Sequence, residues 1–161
     1  MSKTIKIYTD GSSQGNPGPG GYGAILEFGK HRKELAEGFR LTTNNRMELL
    51  AVIKAIMALK DNTYPITVYS DSKYVVDAVE KGWVWNWRKK DYKGKKNSDL
   101  WEQFIGLYNK YRIKFVWVKG HAGHPENERC DELAVESAQG ANLKIDKGYE
   151  QDSNSTLFPP Q

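Results

Sequence analysis

Two aspartates stand at the same place in two similar segments of the sequence. Asp10 lies in IYTDGS and Asp71 in VYSDSK, so each follows a strand-like hydrophobic run and precedes a small polar residue. If the two strands are parallel neighbours, their carboxyl ends meet at one edge of the sheet, where α/β proteins bind ligands. An aspartate after a strand is also ordinary turn chemistry, but the matched pair favours a site.

Glu48 is a third acid with possible chemistry. It lies in RMELLAVIKAIMALK, which consists of strong helix formers and is apolar on nearly every side, so the segment predicts a buried helix. A carboxylate on a buried helix needs a cation or hydrogen-bond donors to offset its desolvation. The alternative is a capping box, with Asn45 as N-cap and Glu48 three residues later.

Asp131 is the fourth acid. The segment that begins at Pro125 predicts a final helix, because proline suits the first helical turn. Asp131 borders the apolar face of this helix and is directed toward the same sheet edge, whereas the alternative is a solvated acid on a helix rich in glutamate. The apolar face consists of Cys130, Leu133, Ala134 and Ala138.

Together the four acids indicate a metal site. Four carboxylates cannot share one pocket as bare anions, because their mutual repulsion raises their pKa values. A divalent cation relieves this repulsion, and an all-oxygen ligand set favours Mg²⁺ or Mn²⁺. Two such ions about 4 Å apart suit in-line phosphoryl chemistry, in which one ion activates the attacking water and the other neutralises the leaving oxygen.

Histidine offers a second metal hypothesis and a separate catalytic one. His121, His124 and Cys130 have the spacing H-x2-H-x5-C, but a closed zinc site needs a fourth ligand, which only a carboxylate could supply. His121 also lies among glycines, which predicts a mobile loop. An imidazole on such a loop suits proton transfer or product release, and the alternative is an exposed loop histidine.

The segment 81–97 concentrates positive charge. The whole chain has a formal net charge of +4, whereas this segment has seven basic residues and one acid, a net charge of +6. Trp83, Trp85 and Trp87 are interleaved with the basic residues, and this spacing cannot expose all three rings equally. Lysine and arginine offer phosphate contacts, and aromatic rings offer faces for sugars or bases. The pattern favours a polyanion-binding surface over a solvated basic helix.

The length and composition of the chain fit one globular domain. Its 161 residues, 39% of them hydrophobic, are enough for a sizeable core. The apolar runs are too short to span a bilayer, and Met1–Lys3 leads directly into a strand pattern, which predicts no secretory leader. The single Cys130 excludes an internal disulfide and fits a reducing compartment, so we expect a cytoplasmic protein and, by default, a monomer.

The hydrophobic patterns predict three strands, a helix, a strand, further helices, a strand and a final helix. The three opening strands form a meander, with a tight turn near Gly29-Lys30. A meander followed by β-α-β units predicts an α/β fold with a five-stranded mixed sheet. Three strands are antiparallel, two are parallel, and helices cover both faces.

Four separated blocks of the sequence resemble type 1 ribonuclease H, the bacterial ribonuclease HI form. The blocks are YTDGSSQGNPGPGGYGA, TTNNRMELLA, YSDSKYV and VKGHAGHPENERCDELA, in the family's order and spacing. The resemblance implies a ribonuclease H catalytic domain over residues 1–140. The polar composition after Ala141 predicts a partly disordered tail over residues 141–161. The resemblance also implies an endonuclease that hydrolyses the RNA strand of RNA–DNA hybrids with two Mg²⁺ ions, Mn²⁺ being possible, and leaves 5′-phosphate and 3′-hydroxyl ends.

The resemblance implies roles for individual residues. The four acids match the family's metal-binding catalytic carboxylates, and His121 matches its mobile-loop histidine. Thr43 and Asn97 match two members of a pocket that grips a phosphate of the DNA strand, and the basic segment matches a protrusion that binds the hybrid. The implied substrate-binding residues are Asn16, Thr43, Asn44, Asn45, Lys73, Trp83, Lys89, Lys90 and Asn97; the implied metal ligands are Asp10, Glu48, Asp71 and Asp131.

The chain departs from the family pattern at the residues expected to grip the DNA strand. Leu41 stands where the family commonly has arginine, and Arg40 is displaced by one position. Lys73 replaces a common glutamine, and the basic protrusion is shorter than in familiar members.

The sequence leaves two alternative functions. One is a non-catalytic hybrid-binding module. The other is a nuclease of the same fold that acts on DNA, which would also use clustered carboxylates.

The glycine-rich loop after Asp10 also has two interpretations. The stretch YTDGSSQGNPGPGG could cradle a phosphate, but it lacks the GK[ST] ending of a nucleotide-binding P-loop. We therefore interpret its glycines as allowing tight turning and close approach of an RNA backbone beside Asp10.

Overall fold

The computed structural model describes residues 3–120 and 123–151. Five strands form one sheet: β1 (Ile5–Ser13), β2 (Gly18–Phe28), β3 (His31–Thr42), β4 (Ile66–Ser70) and β5 (Ile113–Trp117). Their order across the sheet is β3-β2-β1-β4-β5. Strand β1 pairs antiparallel with β2 and parallel with β4. Strand β2 pairs antiparallel with β3, and β4 pairs parallel with β5. The predicted mixed sheet is confirmed.

Helices lie on both sides of the sheet: α1 (Asn44–Met57), α2 (Lys73–Glu80), α3 (Trp83–Lys89), α4 (Ser98–Tyr108) and α5 (Pro125–Ala138). The sequence patterns predict α1, α2, α4 and α5, but not α3, which lies in the basic segment. Ser72 caps α2, since its side chain accepts a hydrogen bond from Val75 N, and Pro125 occupies the first turn of α5.

Helices α1 and α5 pack on opposite faces of the sheet. Asp10 is paired with Gly23 on β2, and a Cβ atom at Gly23 would lie 2.4 Å from the carbonyl oxygen of Cys130 on α5. A Cβ atom at Gly11, the next residue of β1, would lie 2.3 Å from Glu48 N on α1. Because successive residues of a strand face opposite sides, the two helices sandwich β1.

The core lies between the sheet and the helices α1, α2 and α4. Helix α1 is buried on nearly all sides, as its composition predicts, and Trp101 and Phe104 of α4 are fully buried. Within the described ranges, no helix has the length and apolarity needed to cross a membrane.

Residues 141–146 pass along the edge of the sheet at β3, and residues 147–151 are helical. Lys144 N donates to Gly38 O at 2.8 Å, and Arg40 N donates to Lys144 O at 2.9 Å. Residues 152–161 lie outside the described part of the chain, and the division at residue 140 stays a prediction.

Candidate active site

The fold brings three of the predicted acids together at one edge of the sheet. Strands β1 and β4 are parallel neighbours, with Tyr8 paired to Tyr69, so Asp10 near the end of β1 and Asp71 just after β4 lie side by side. Glu48 joins them from α1. One carboxylate oxygen from each acid lies within 4.8 Å of the others, and Asp10 and Glu48 are buried.

Glu48 is in an unfavourable setting for a carboxylate. Burial, together with the neighbouring charges of Asp10 and Asp71, raises the pKa of Glu48 well above its ordinary value of 4.5. Its Oε1 atom is buried and has no hydrogen-bond partner among the residues that the structure describes. A hard divalent cation relieves both the repulsion and the unsatisfied oxygen, so these residues fit a metal bound through oxygen.

The capping-box alternative for Glu48 is wrong. Thr43, not Asn45, is the N-cap of α1, and its hydroxyl accepts a hydrogen bond from Arg46 N at 3.3 Å. The capping-box position three residues after the cap therefore belongs to Arg46, and Glu48 lies beyond it. Its side chain is free to serve the sheet edge instead of the helix terminus.

The interpretation of the glycines beside Asp10 is also corrected in part. Gly15 has a φ of +82° and does serve a turn. Gly11, in contrast, is approached by the protein itself, since a Cβ atom there would overlap Glu48 N and lie 2.5 Å from the carbonyl carbon of Met47. This glycine lets α1 come close enough to β1 for Glu48 to reach Asp10.

Asp131 is half-buried on α5 and is not among the three acids whose oxygens lie within 4.8 Å of one another. His121 lies outside the described residues. Their assigned roles stay predictions. In the zinc alternative, Cys130 would be a ligand, but its Sγ is buried and donates to Tyr8 O at 3.2 Å. Burial raises the pKa of this thiol well above its usual range, which disfavours the thiolate that zinc requires.

Comparison with known proteins decides the family. The RNase H family model matches residues 2–139. The Ribonuclease H of Syntrophus aciditrophicus (strain SB) is 53% identical over 152 residues, which cover 91% of this chain and 87% of that protein. The Ribonuclease H of Desulforamulus reducens is 54% identical over 149 residues, 89% of this chain and 93% of the relative. The chain belongs to the RNase H family.

Solved structures agree with this assignment. LC9-RNase H1, described as a type 1 RNase H with the type 2 active-site motif, matches with a TM-score of 0.75 and 31% identity, over 95% of this chain and 82% of that one. LC11-RNase H1 in complex with an RNA/DNA hybrid matches with a TM-score of 0.64 and 26% identity, over 84% and 96% of the two chains. The RNase H family is metal-dependent, and this member has a carboxylate cluster, formed by Asp10, Glu48 and Asp71, that fits a metal.

Two of the asparagines predicted to contact the hybrid meet at the N-terminal end of α1 in this RNase H. Asn16 Oδ1 accepts a hydrogen bond from Asn44 N at 3.1 Å. Both residues are exposed, as is Asn45. The N-terminal end of α1 and the loop after β1 therefore present side-chain amides at one surface.

Asn97 lies in a network that the sequence did not reveal. Its amide donates to Tyr74 OH at 3.0 Å and accepts from an Arg46 guanidinium nitrogen at 3.3 Å. Arg46 is 2% exposed and is held by two acids, Asp99 and Asp146. No local pattern signals this network, because Arg46 and Asp146 are 100 residues apart.

The basic segment has two differently composed sides. A groove of about 300 Å³ is lined by Trp83, Trp87, Lys90 and three further polar residues, Asn86, Lys93 and Lys95. Lys89 instead lines a second groove, beside Arg88 and Glu102. Trp83 is 44% exposed, whereas Trp85 and Trp87 are half-buried, so unequal exposure of the three rings is confirmed.

The structure also places an unpredicted aromatic residue beside the carboxylates. Trp117 ends β5, is 40% exposed, and donates from Nε1 to Asp71 O at 3.2 Å. Lys73 Nζ lies 4.6 Å from the centroid of its ring. The sequence pattern identified Trp117 only as a strand residue.

Proposed function

We propose that this RNase H hydrolyses the RNA strand of RNA–DNA hybrids, with divalent cations held by Asp10, Glu48 and Asp71. The observation that carries the proposal is the convergence of three carboxylates within 4.8 Å. A binding module gains nothing from negative charge beneath a phosphate backbone, because the repulsion weakens its affinity. A hydrolase that uses metal ions requires it.

The protein's contribution to the chemistry is the placement of oxygen ligands. Bound Mg²⁺ or Mn²⁺ ions supply an activated water and neutralise charge on the leaving oxygen. Asp10 is fixed by its own strand, where Gly11 N donates to Asp10 Oδ1 at 2.9 Å. Asp71 is fixed by the end of β4, and Glu48 by the buried helix α1. Rigid elements thus hold all three ligands.

Two further residues complete the proposed chemistry. Asp131, from α5, is the fourth metal ligand, and this helix packs on β1 and β2 directly beside Asp10. His121 transfers a proton or assists release of the product. We assign two ions in the presence of substrate, with products that carry 5′-phosphate and 3′-hydroxyl ends.

Recognition of the hybrid is assigned to the exposed residues around this centre. Asn16, Asn44 and Asn45 read the 2′-hydroxyl groups that distinguish RNA from DNA. Thr43 and Asn97 grip a phosphate of the DNA strand. Lys90 and Trp83 line one groove of the basic segment, and Lys89 lines a second groove. These three residues form the contact of the basic segment with the hybrid.

The substrate is tested by comparing three labelled duplexes: an RNA–DNA hybrid, duplex DNA and duplex RNA. We expect cleavage of the RNA strand of the hybrid alone, with Mg²⁺ or Mn²⁺ and not with EDTA. Cleavage of duplex DNA would favour the nuclease of the same fold. Binding without cleavage of any duplex would favour the non-catalytic module.

The cellular setting follows the same proposal. A cytoplasmic monomer suits an enzyme whose single cysteine is buried and forms no disulfide. Analytical ultracentrifugation of the full chain tests the oligomeric state, and a sedimenting dimer would contradict the proposed monomer.

A further inference from the structure

Trp117 is one of two exposed tryptophans in the described part of the chain, and it lies beside Asp71 of the carboxylate cluster. It is the last residue of β5, an edge strand, and is paired with Ser70 at the end of β4. The ring is 40% exposed, so its face is accessible to a partner from solution. Its position next to Asp71 makes the hybrid the relevant partner.

Two contacts tie the indole of Trp117 to the site. Its Nε1–H donates to the main-chain oxygen of Asp71 at 3.2 Å, so the ring braces the turn that carries a metal ligand. Its π-face lies 4.6 Å from the ammonium of Lys73. An ammonium over an aromatic face is attracted by the ring quadrupole, which restricts an otherwise flexible side chain.

Lys73 is well placed for a phosphate. It is the first residue of α2, two residues after Asp71, and it is exposed. A lysine ammonium is a compact point charge that binds phosphate without a fixed geometry. The ring of Trp117 keeps this charge at the sheet edge, where a backbone that is cleaved at the carboxylates must pass.

The second exposed tryptophan has the same companion. Lys81 Nζ lies 5.2 Å from the ring of Trp83, which belongs to the proposed basic surface. The two exposed tryptophans of the described chain therefore each carry a lysine on their ring. One pair lies on the basic segment and the other at the carboxylates.

We propose that Trp117 is a positioning residue that holds the ammonium of Lys73 against a phosphate of the hybrid beside the cleavage site and braces the main chain of Asp71. This inference rests on the proposed function. It assigns to Lys73 an ionic contact with a phosphate, and to Trp117 two separable effects, one on binding and one on turnover.

Three variants separate the two effects. Lys73→Gln removes the charge, so we expect KM to rise about threefold to tenfold with kcat nearly unchanged. Trp117→Phe keeps a ring for Lys73 but loses the Nε1 donor, so kcat falls about threefold with KM nearly unchanged. Trp117→Leu loses both contacts and changes both constants. A merely structural role would change the two Trp117 variants alike and leave KM of Lys73→Gln unchanged.

The salt dependence of hybrid binding is the second readout. In an Asp10→Asn background with Mg²⁺, we expect Lys73→Gln to reduce the slope of log Kd against log salt by about 0.7 to 0.9. Trp117→Leu reduces the slope partly, and adding it to Lys73→Gln changes the slope no further. Lys114→Gln, an exposed lysine on the same strand β5, is the matched control and leaves the slope unchanged.

The outcomes distinguish this inference from the proposed function. If the parent protein cleaves hybrids but Lys73→Gln leaves the slope and KM unchanged, the phosphate contact is wrong and the function stands. Independent, additive effects of Lys73→Gln and Trp117→Leu on Kd would overturn the positioning role. If the parent does not cleave hybrids, the proposed function itself fails. Thermal unfolding of each variant identifies any that do not fold, and Trp117→Phe with Lys73→Gln then carries the test.

Discussion

Helix α1 carries two buried charges within one turn, and the protein treats them in opposite ways. Arg46 is 2% exposed and Glu48 is 5% exposed. The guanidinium of Arg46 lies 2.7 Å from an oxygen of Asp99 and 2.8 Å from an oxygen of Asp146. Glu48 faces two further acids, Asp10 and Asp71, and has no ion-pair partner among the described residues.

The difference separates a structural charge cluster from a functional one. Arg46 is hydrogen-bonded to two carboxylates, those of Asp99 and Asp146. These ion pairs offset the free-energy cost of removing its charge from water. Glu48 adds to a cluster of negative charges whose repulsion is relieved by protonation or by a cation from solution. The first cluster is complete when the chain folds, whereas the second is complete when a metal binds.

The largest expected effect is the loss of cleavage activity when the carboxylate cluster is changed. Asp10→Asn should lower kcat by at least about 10³-fold, because a neutral amide is a poor ligand for Mg²⁺. Hybrid binding should change little, since the basic segment and the exposed asparagines remain. Cleavage of a labelled hybrid and a parallel binding titration measure the two properties. Equal cleavage by variant and parent would rule out the metal assignment.

The next effect concerns the other cluster. Arg46→Met should destabilise the fold by about 3 to 5 kcal/mol, because it leaves Asp99 and Asp146 partly buried without their cation. Urea unfolding measures this difference. Arg40→Met is the matched control, since the exposed Arg40 also makes a two-bonded ion pair, with Glu150.

We expect little change in stability for Arg40→Met, because exposed ion pairs are screened by solvent. Equal losses for the two variants would remove the contrast between the buried cluster and an ordinary surface pair. A small loss for both would mean that Arg46 is not required for the fold.

Metal should stabilise the protein only by binding to the carboxylate cluster. At a free Mg²⁺ concentration one hundred times Kd, stability should rise by about 2.7 kcal/mol. Glu48→Gln should lose most of this gain and should be more stable than the parent in EDTA, because one of three repelling charges is gone. Thermal melts with Mg²⁺ and with EDTA test both statements. A Mg²⁺ effect retained in full by Glu48→Gln would exclude Glu48 as a ligand.

The smallest effect is an opposite pH dependence of the two clusters in EDTA. Burial alone would raise the pKa of Asp99, but the hydrogen bonds and charge of Arg46 hold it below its ordinary 3.8. The stability that Asp99 contributes is therefore present above pH 3.8 and lost as the pH falls through the folded value.

Glu48 behaves in the reverse manner, because its folded pKa is raised above 4.5. Its contribution is present below pH 4.5 and is lost as the pH rises through the folded value. Urea unfolding between pH 3 and 7 measures both trends. Asp99→Asn should reduce the loss at low pH, and Glu48→Gln should reduce the decline at higher pH. Unchanged profiles in both variants would mean that the two clusters do not set these slopes.

Local patterns in the sequence were sufficient for the elements of the fold. Alternation predicted the strands, and an all-apolar run of helix formers predicted the buried α1. The echo between the segments around Asp10 and Asp71 indicated that the two acids would be adjacent if their strands were parallel neighbours, because the carboxyl ends of parallel strands lie at the same sheet edge.

Contacts between distant segments could not be predicted in this way. Arg46 looked like an ordinary polar residue of a helix start, and its partner Asp146 lies in a segment that we expected to be a polar tail. Gly11 looked like part of a substrate loop, because its neighbour on α1 is distant in sequence. Trp117 looked like any strand aromatic, since exposure depends on the edge position of β5.

The closure of the Arg46 cluster also sets an order of events during synthesis. Thr42 and Arg46 both bond to Asp146, across 104 and 100 positions of the chain. A nascent polypeptide that has emerged only as far as α5 already holds every carboxylate of the proposed catalytic centre, yet the start of α1 still lacks its partner Asp146. The ribosome must therefore deliver residue 146 before the N-terminal end of the helix that presents Glu48 has its full set of contacts.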